Sequence, residues 1–290
     1  MGHGIAQVFA LAGHIVRVYD PEYKVLASLR ERIAKNLTDL NQDANAASRV
    51  FPVEELGACV AGADIVFEAG PENLAFKQKL FVQLELMAPA HALLASNTSV
   101  IPITDIMKDV NTGHRAMGTH WWNPPYLVPL VEVIKTSHTD PKLAQEMFDL
   151  LAIVGKTPAM VEKDVPGFIG NRLQHALWRE AISLVASGVC DAETVDTVVK
   201  ASFGRRLPVI GPLENADLVG IEMTLAIHET VLPSIDHTPG PSPYLQRLIN
   251  AGRLGMKSGE GFRTWTPEQQ DELRAKVLSH LKSMNVAEGR

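Results

Sequence analysis

Through residue 162 the chain alternates short apolar runs with longer segments whose apolar residues recur at helical spacing. The runs at 15–19, 64–68, 91–95, 115–119, 130–134 and 157–162 each predict a strand. Helical stretches near 22–40, 73–87 and 140–154 separate them, and a helix from Ile5 to Ala12 precedes the first. The last stretch opens with Thr139-Asp140-Pro141, a capping residue followed by proline at the first helical position. Such alternation predicts an α/β architecture, a doubly wound parallel sheet with crossover helices.

After Asp164-Val165-Pro166-Gly167 the strand signals stop. Phe168, Ile169, Leu173, Ala176, Leu177, Ile182 and Leu184 mark one long helix ending near Ser187. Asp191 opens a second helix, Glu214 to Val231 reads as a third, and an amphipathic helix begins at Thr266. Two domains are expected: a nucleotide-binding domain over 1–163 and an all-α domain over 164–290.

A chain of 290 residues, 46% hydrophobic, can bury cores for both. The net charge of −6 and scattered basic residues argue against nucleic acid as a partner. Cys59 and Cys190 lie far apart, without metal-ligand spacing, and read as free thiols of a reducing cytosol. No metal site is expected. There is no signal-peptide pattern and no apolar run of about eighteen residues, so a cytoplasmic protein without a membrane partner is expected.

Candidate chemistry begins at the first residues. Met1-Gly2-His3-Gly4-Ile5-Ala6 matches the second half of a dinucleotide-binding turn, with Gly2 and Gly4 at the start of a helix that would face a pyrophosphate. Asp20 ends the following strand, where a carboxylate takes the adenosine ribose hydroxyls. Pro21 and Glu22 come next, with no arginine for a 2′-phosphate, which favours NAD over NADP. The strand and first glycines of such a turn are not in this sequence. The sheet is therefore expected to lack its first strand, and Met1 is expected to be internal to a longer natural chain.

Gly118-Thr119-His120-Trp121-Trp122-Asn123-Pro124-Pro125 puts a histidine at the carboxyl end of a strand, where doubly wound sheets bind ligands. Twelve residues on, Glu132 interrupts the apolar run Leu130–Ile134, a costly place for an unpaired carboxylate. Paired, the two make a general base of fixed tautomer. Read apart, they are an ordinary strand-end histidine and a core carboxylate. Ser96-Asn97-Thr98-Ser99 ends another strand. Its side chains suit a substrate oxygen or a nicotinamide amide, but the local pattern favours a cap for the segment near Ile101–Met107. Asn171 falls in the first turn of the long helix, facing either a cleft or solvent.

Together with Asp164–Arg172, Ile210-Gly211-Pro212 and Gly255-Met256-Lys257-Ser258-Gly259-Glu260-Gly261, these motifs resemble the 3-hydroxyacyl-CoA dehydrogenase family over almost the whole chain. The resemblance implies an NAD-binding Rossmann domain followed by a helical domain that forms a homodimer. It also implies His120 as general base and Glu132 as its orienting partner. Ser99 and Asn171 would hold the substrate oxygen, with Asn123 beside them. Gly2, Gly4, Asp20, Glu72, Lys77 and Asn97 would serve the cofactor. The implied reaction is oxidation of a secondary 3-hydroxy group by hydride transfer.

Two features depart from the family pattern. The arm after the second strand, which in CoA-using members carries lysines, here ends in the acidic and polar run Asn36–Asp43. Trp121-Trp122 replaces the two phenylalanines common after the catalytic histidine. Both resemble side branches acting on small carboxylates, including the pyridine carboxylate dehydrogenase of vitamin B6 breakdown. Acyl-CoA and small-carboxylate substrates both stay open, and Arg205 and Arg206 either meet a carboxylate or sit on a solvated turn. An alternative of another class is a truncated, non-catalytic remnant.

Overall fold

The computed structural model describes residues 1–287. The chain divides into two units, one of Met1–Arg172 with the chain from Leu278, the other Leu173–Val277. The division thus falls nine residues beyond the expected 163, because the turn before the long helix and its first residues belong to the first unit. The end of the chain also groups with that unit rather than with the helices before it.

In the first unit the order is α1 (Gly2–Leu11), β1 (Val16–Val18), α2 (Tyr23–Ala27), α3 (Leu29–Asp39), β2 (Val50–Pro52), α4 (Leu56–Val60), β3 (Ile65–Glu68), α5 (Leu74–Met87), β4 (Leu93–Ser96), α6 (Ile103–Ile106), β5 (Ala116–Trp121), β6 (Leu130–Ile134), α7 (Pro141–Ile153), β7 (Thr157–Val161) and the start of α8 (Gly170–Ala186). Asn73 caps α5 through the Phe76 amide, and Asp140 caps α7 through that of Lys142. The helix expected over 22–40 breaks at Ser28 into α2 and α3. The strand β2 carried too little pattern to be expected.

Strands β3-β4-β5-β6-β7 form one sheet in that order, and β1-β2 a separate pair. β1 and β3 each have a neighbour on one side only, where the first strand of a doubly wound sheet would run. Val16 packs against apolar clusters on both sides of α1. The five-stranded sheet is not wholly parallel, as the alternation had suggested, because β6 runs antiparallel to β5. Only Trp122 to Pro129 join them, a connection too short for the crossover of a dozen or more residues that a parallel neighbour needs.

Side chains alternate across the sheet. Leu93, Ala95, Met117, Trp121, Val131 and Val133 face α1 and α7. Leu94, Ala116 and Ile134 face α5 and α6. Parity therefore puts the even positions His120 and Glu132 on the second face, the one covered by α5 and α6.

The second unit holds most of α8, then α9 (Ala192–Ala201), α10 (Pro212–Val219), α11 (Ile221–Val231), α12 (Pro243–Asn250) and most of α13 (Pro267–Ala287). The helix expected from Glu214 to Val231 is divided at Gly220 into α10 and α11. No residue of α8, α9, α10 or α11 is buried.

At the end of β3, Lys77 is fully buried, with Nζ 2.8 and 2.9 Å from the two Glu68 oxygens. Ser96 Oγ donates to Glu68 Oε2 at 2.7 Å. Removing one partner of a buried pair strands the other charge. Lys77→Met is expected to cost about 3–5 kcal/mol in urea denaturation, and adding Glu68→Leu to restore part of it. A loss below about 1 kcal/mol would show that the pair does not hold this end of the sheet.

Candidate active site

The antiparallel register sets His120 directly opposite Glu132. His120 Nδ1 lies 2.7 Å from Glu132 Oε2, and both side chains are buried. The contact directs the Nδ1 proton to the carboxylate, which leaves Nε2 as the nitrogen that takes up a proton. The other carboxylate oxygen is also held: Glu132 Oε1 accepts from the amides of Ile169 at 2.9 Å and Gly170 at 3.0 Å.

Those amides are the start of α8, aimed by an unusual turn. Gly167 and Phe168 both have left-handed backbones, with φ of 75° and 51°. For phenylalanine this conformation costs about 1–2 kcal/mol. The turn is kept by its contacts: the Phe168 ring is buried in the core and lies 5.6 Å from the imidazole. Trp122 lies 5.4 Å from the imidazole.

Burial pushes the Glu132 carboxyl up. The His120 bond and the two α8 amides outweigh it and leave the carboxyl below its ordinary value. Glu132 is therefore ionised at neutral pH, as a partner that stabilises an imidazolium must be.

Around this pair the expected residues separate. Asn171 Nδ2 donates to the Ser99 carbonyl at 2.7 Å, so the two meet through main chain, and the exposed Ser99 hydroxyl takes no part in that bond. Glu72 Oε1 accepts from Thr98 Oγ1 at 2.6 Å and from the Ser99 and Val100 amides at 2.9 and 3.1 Å. Its Oε2 is 3.7 Å from Lys77. Glu72 thus shapes the loop after β4. Lys77 is fully buried, paired with Glu68 and 3.7 Å from Glu72. Asn97 is buried, and its Oδ1 accepts from the Trp121 amide at 2.9 Å, tying the ends of β4 and β5. Asn123 is exposed. Thr98 Oγ1 accepts from the Ile101 amide at 3.2 Å, a local turn. The helix Ile103–Ile106 has Pro102 at its N-cap and no side-chain cap, so the cap expected of this loop is not formed.

The groups expected to hold NAD lie at the start of α1 and the end of β1. Gly2 opens α1, and at its position an added Cβ would meet only Ala69, at 3.8 Å. The helix start is therefore open to a close-lying group. Asp20 follows β1, its Oδ1 fixed by the Glu22 amide at 2.9 Å. Gly4 lets α1 pack closely, since a Cβ there would fall 2.5 Å from Pro125 Cγ. The residues present fit a dinucleotide at the helix start and the ribose carboxylate. Arg205 and Arg206 are exposed residues of the second unit. Among the described residues no group of three or more His, Cys, Asp and Glu could hold a metal.

Residues 1–165 match the NAD-binding domain of 3-hydroxyacyl-CoA dehydrogenase, and 167–265 match its C-terminal domain. The chain belongs to the 3-hydroxyacyl-CoA dehydrogenase family. This family's enzymes are NAD-dependent oxidoreductases acting on a hydroxyl group. A 5-formyl-3-hydroxy-2-methylpyridine 4-carboxylate 5-dehydrogenase of Mesorhizobium japonicum is 33% identical over 100% of this chain and 96% of that protein. A probable 3-hydroxybutyryl-CoA dehydrogenase of Bacillus subtilis is 38% identical over 90% of this chain and 93% of its own length. The crystal structure of the pyridine carboxylate dehydrogenase, described as an NAD+-dependent dismutase, superposes with a TM-score of 0.91 at 32% identity. It covers 100% of this chain and 96% of that one.

Sequence reasoning missed the α8 amides on Glu132, the part of Phe168, and Glu68 as the partner of Lys77. One signal was available for the antiparallel pairing: the connection after Trp121 is short and contains Pro124, Pro125 and Pro129.

Because the Glu132 pKa is depressed on folding, its stabilising effect is complete above the ordinary value of 4.5 and is lost as pH falls below it. In urea denaturation from about pH 6 to about pH 3, Glu132→Gln is expected to lose stability less steeply than the parent. Equal slopes would show that the carboxylate is not held as described.

Proposed function

We propose that His120 is the general base of a dehydrogenase whose substrate is a small carboxylate bearing a hydroxyl group or a hydrated aldehyde. The 2.7 Å pairing with Glu132 carries this reading. Nε2 takes the hydroxyl proton, and the ionised Glu132 stabilises the imidazolium that results. Asn171 and the loop from Asn97 to Ser99 hold the substrate oxygen, with Asn123 at the rim of the site. Bound at the start of α1 with its adenosine ribose on Asp20, NAD supplies the hydride acceptor. Glu72 shapes the loop on which the substrate rests, and Lys77 acts only through Glu72 and Glu68.

Relatives of both substrate classes match the chain at similar identity, and one observation supports a free acid over a CoA thioester. The end of α3 and the turn after it carry Asp39, Asn41, Gln42 and Asp43, and the nearby lysines Lys35 and Lys282 are bound to Asp39, which leaves little cation for CoA phosphates. His120→Gln is expected to lower kcat by about 10²–10⁴ with NAD affinity retained. An unchanged rate removes the assignment. A panel of pyridine carboxylates and hydroxy acids, run beside acetoacetyl-CoA with NADH, decides the substrate.

The helical unit supports a homodimer. Trp178, Leu213, Leu218, Ile221 and Leu225 are among its exposed apolar residues, more than a monomer ordinarily leaves to water. No helix of the described residues is long and apolar enough to cross a membrane, and Cys59 and Cys190 are free thiols, which suits the cytoplasm. Sedimentation is expected to give the mass of two chains, and Leu218→Glu with Ile221→Glu to give that of one. A single-chain mass for the parent protein would refute the dimer.

A further inference from the structure

Trp122 touches the catalytic pair from a side that the mechanism above does not use. Its ring stands 5.4 Å from the His120 imidazole. A Cβ at Gly170 would fall 2.6 Å from Trp122 Cζ2, 3.3 Å from Cε2 and 3.5 Å from Glu132 Oε2. The space that a side chain at 170 would fill is therefore already occupied by the indole, with the carboxylate that orients the base in contact beside it. The indole Nε1 is buried and finds no partner among the described residues. Packing, not a hydrogen bond, keeps the ring in place. Its neighbour Trp121 points the other way, into the cluster with Phe9 and Phe67, so the two tryptophans are not interchangeable.

We propose that Trp122 and Gly170 are a size-matched pair that positions the His120 imidazole and narrows the site beside it. Any side chain at 170 must displace the indole, which lies against the base. Trp122 is half-buried, so part of the ring remains beside the imidazole as a flat wall. Such a wall suits a compact planar acid better than the flexible acyl chain of a thioester. This last step rests on the small-carboxylate reading above; the pairing itself does not.

The test is a double-mutant cycle on the whole protein. Glycine to alanine at a helical position ordinarily favours the helix. Here Gly170→Ala is expected instead to lower Tm and to reduce kcat at least tenfold, with a smaller effect on KM, and Gly170→Val to do so more strongly. Trp122→Phe leaves no hydrogen bond broken. Combined with Gly170→Ala it is expected to restore Tm and most of kcat. The single variant Trp122→Phe is expected to raise the kcat/KM for acetoacetyl-CoA relative to that for the pyridine carboxylate.

A Gly170→Ala protein as stable and active as the parent, or losses that Trp122→Phe does not relieve, would overturn the pairing. If the cycle shows coupling but the substrate ratio does not move, the pair positions the base without setting specificity, and that half of the proposal is wrong. The Tm arm needs no substrate. The pairing can therefore stand or fall apart from the assigned function, which the His120→Gln measurement tests.

Discussion

The site rests on one structural constraint, the antiparallel pairing of β5 with β6. A strand presents every second residue to the same face, and antiparallel neighbours in register bring one residue of each strand face to face. With Gly118 opposite Ile134, the ladder must set His120 opposite Glu132. A slip of one residue would turn the histidine or the glutamate to the α1–α7 face and put a charge among Met117, Val131 and Val133. The apolar partners of the ladder thus enforce the alignment of its two polar members. Register alone makes neighbours of groups twelve residues apart in sequence.

Burying a carboxylate costs free energy, and the protein offsets this on both oxygens. One meets the imidazole and the other the first amides of α8. The amides reach it only because Gly167 and Phe168 take left-handed conformations, which for Phe168 the core packing of its ring sustains. Glu68 follows the same logic at the end of β3, where Lys77, Ser96 and the Gly70 amide saturate its carboxylate. Two buried acids on neighbouring parts of one sheet are thus handled differently. One has a titratable partner suited to proton transfer. The other has a lysine, fully buried beside it.

The two units bury apolar surface to very different extents. The first has three apolar clusters around its sheets, although β1-β2 and the five-stranded sheet do not join into one ladder. The second leaves large apolar residues of α8 to α11 exposed. The proposed homodimer would cover this apolar surface with a second copy of the same unit.

The strands other than β2, most helices and the division into a sheet unit and a helical unit were legible in the sequence, because hydrophobic periodicity and capping residues act locally. The residue types at 120 and 132 were legible too, since a histidine at a strand end and a glutamate inside an apolar run both break the expected pattern. Contacts that depend on chain reversal were not. The direction of β6, the two amides on Glu132 and the neighbour of Lys77 follow from which segments the fold brings together. The same holds for Gly170, which reads as an ordinary helix-start residue until Trp122, 48 positions earlier, is found in the space its side chain would need. Periodicity reports which face a residue takes. What stands opposite that face is decided by packing between distant segments.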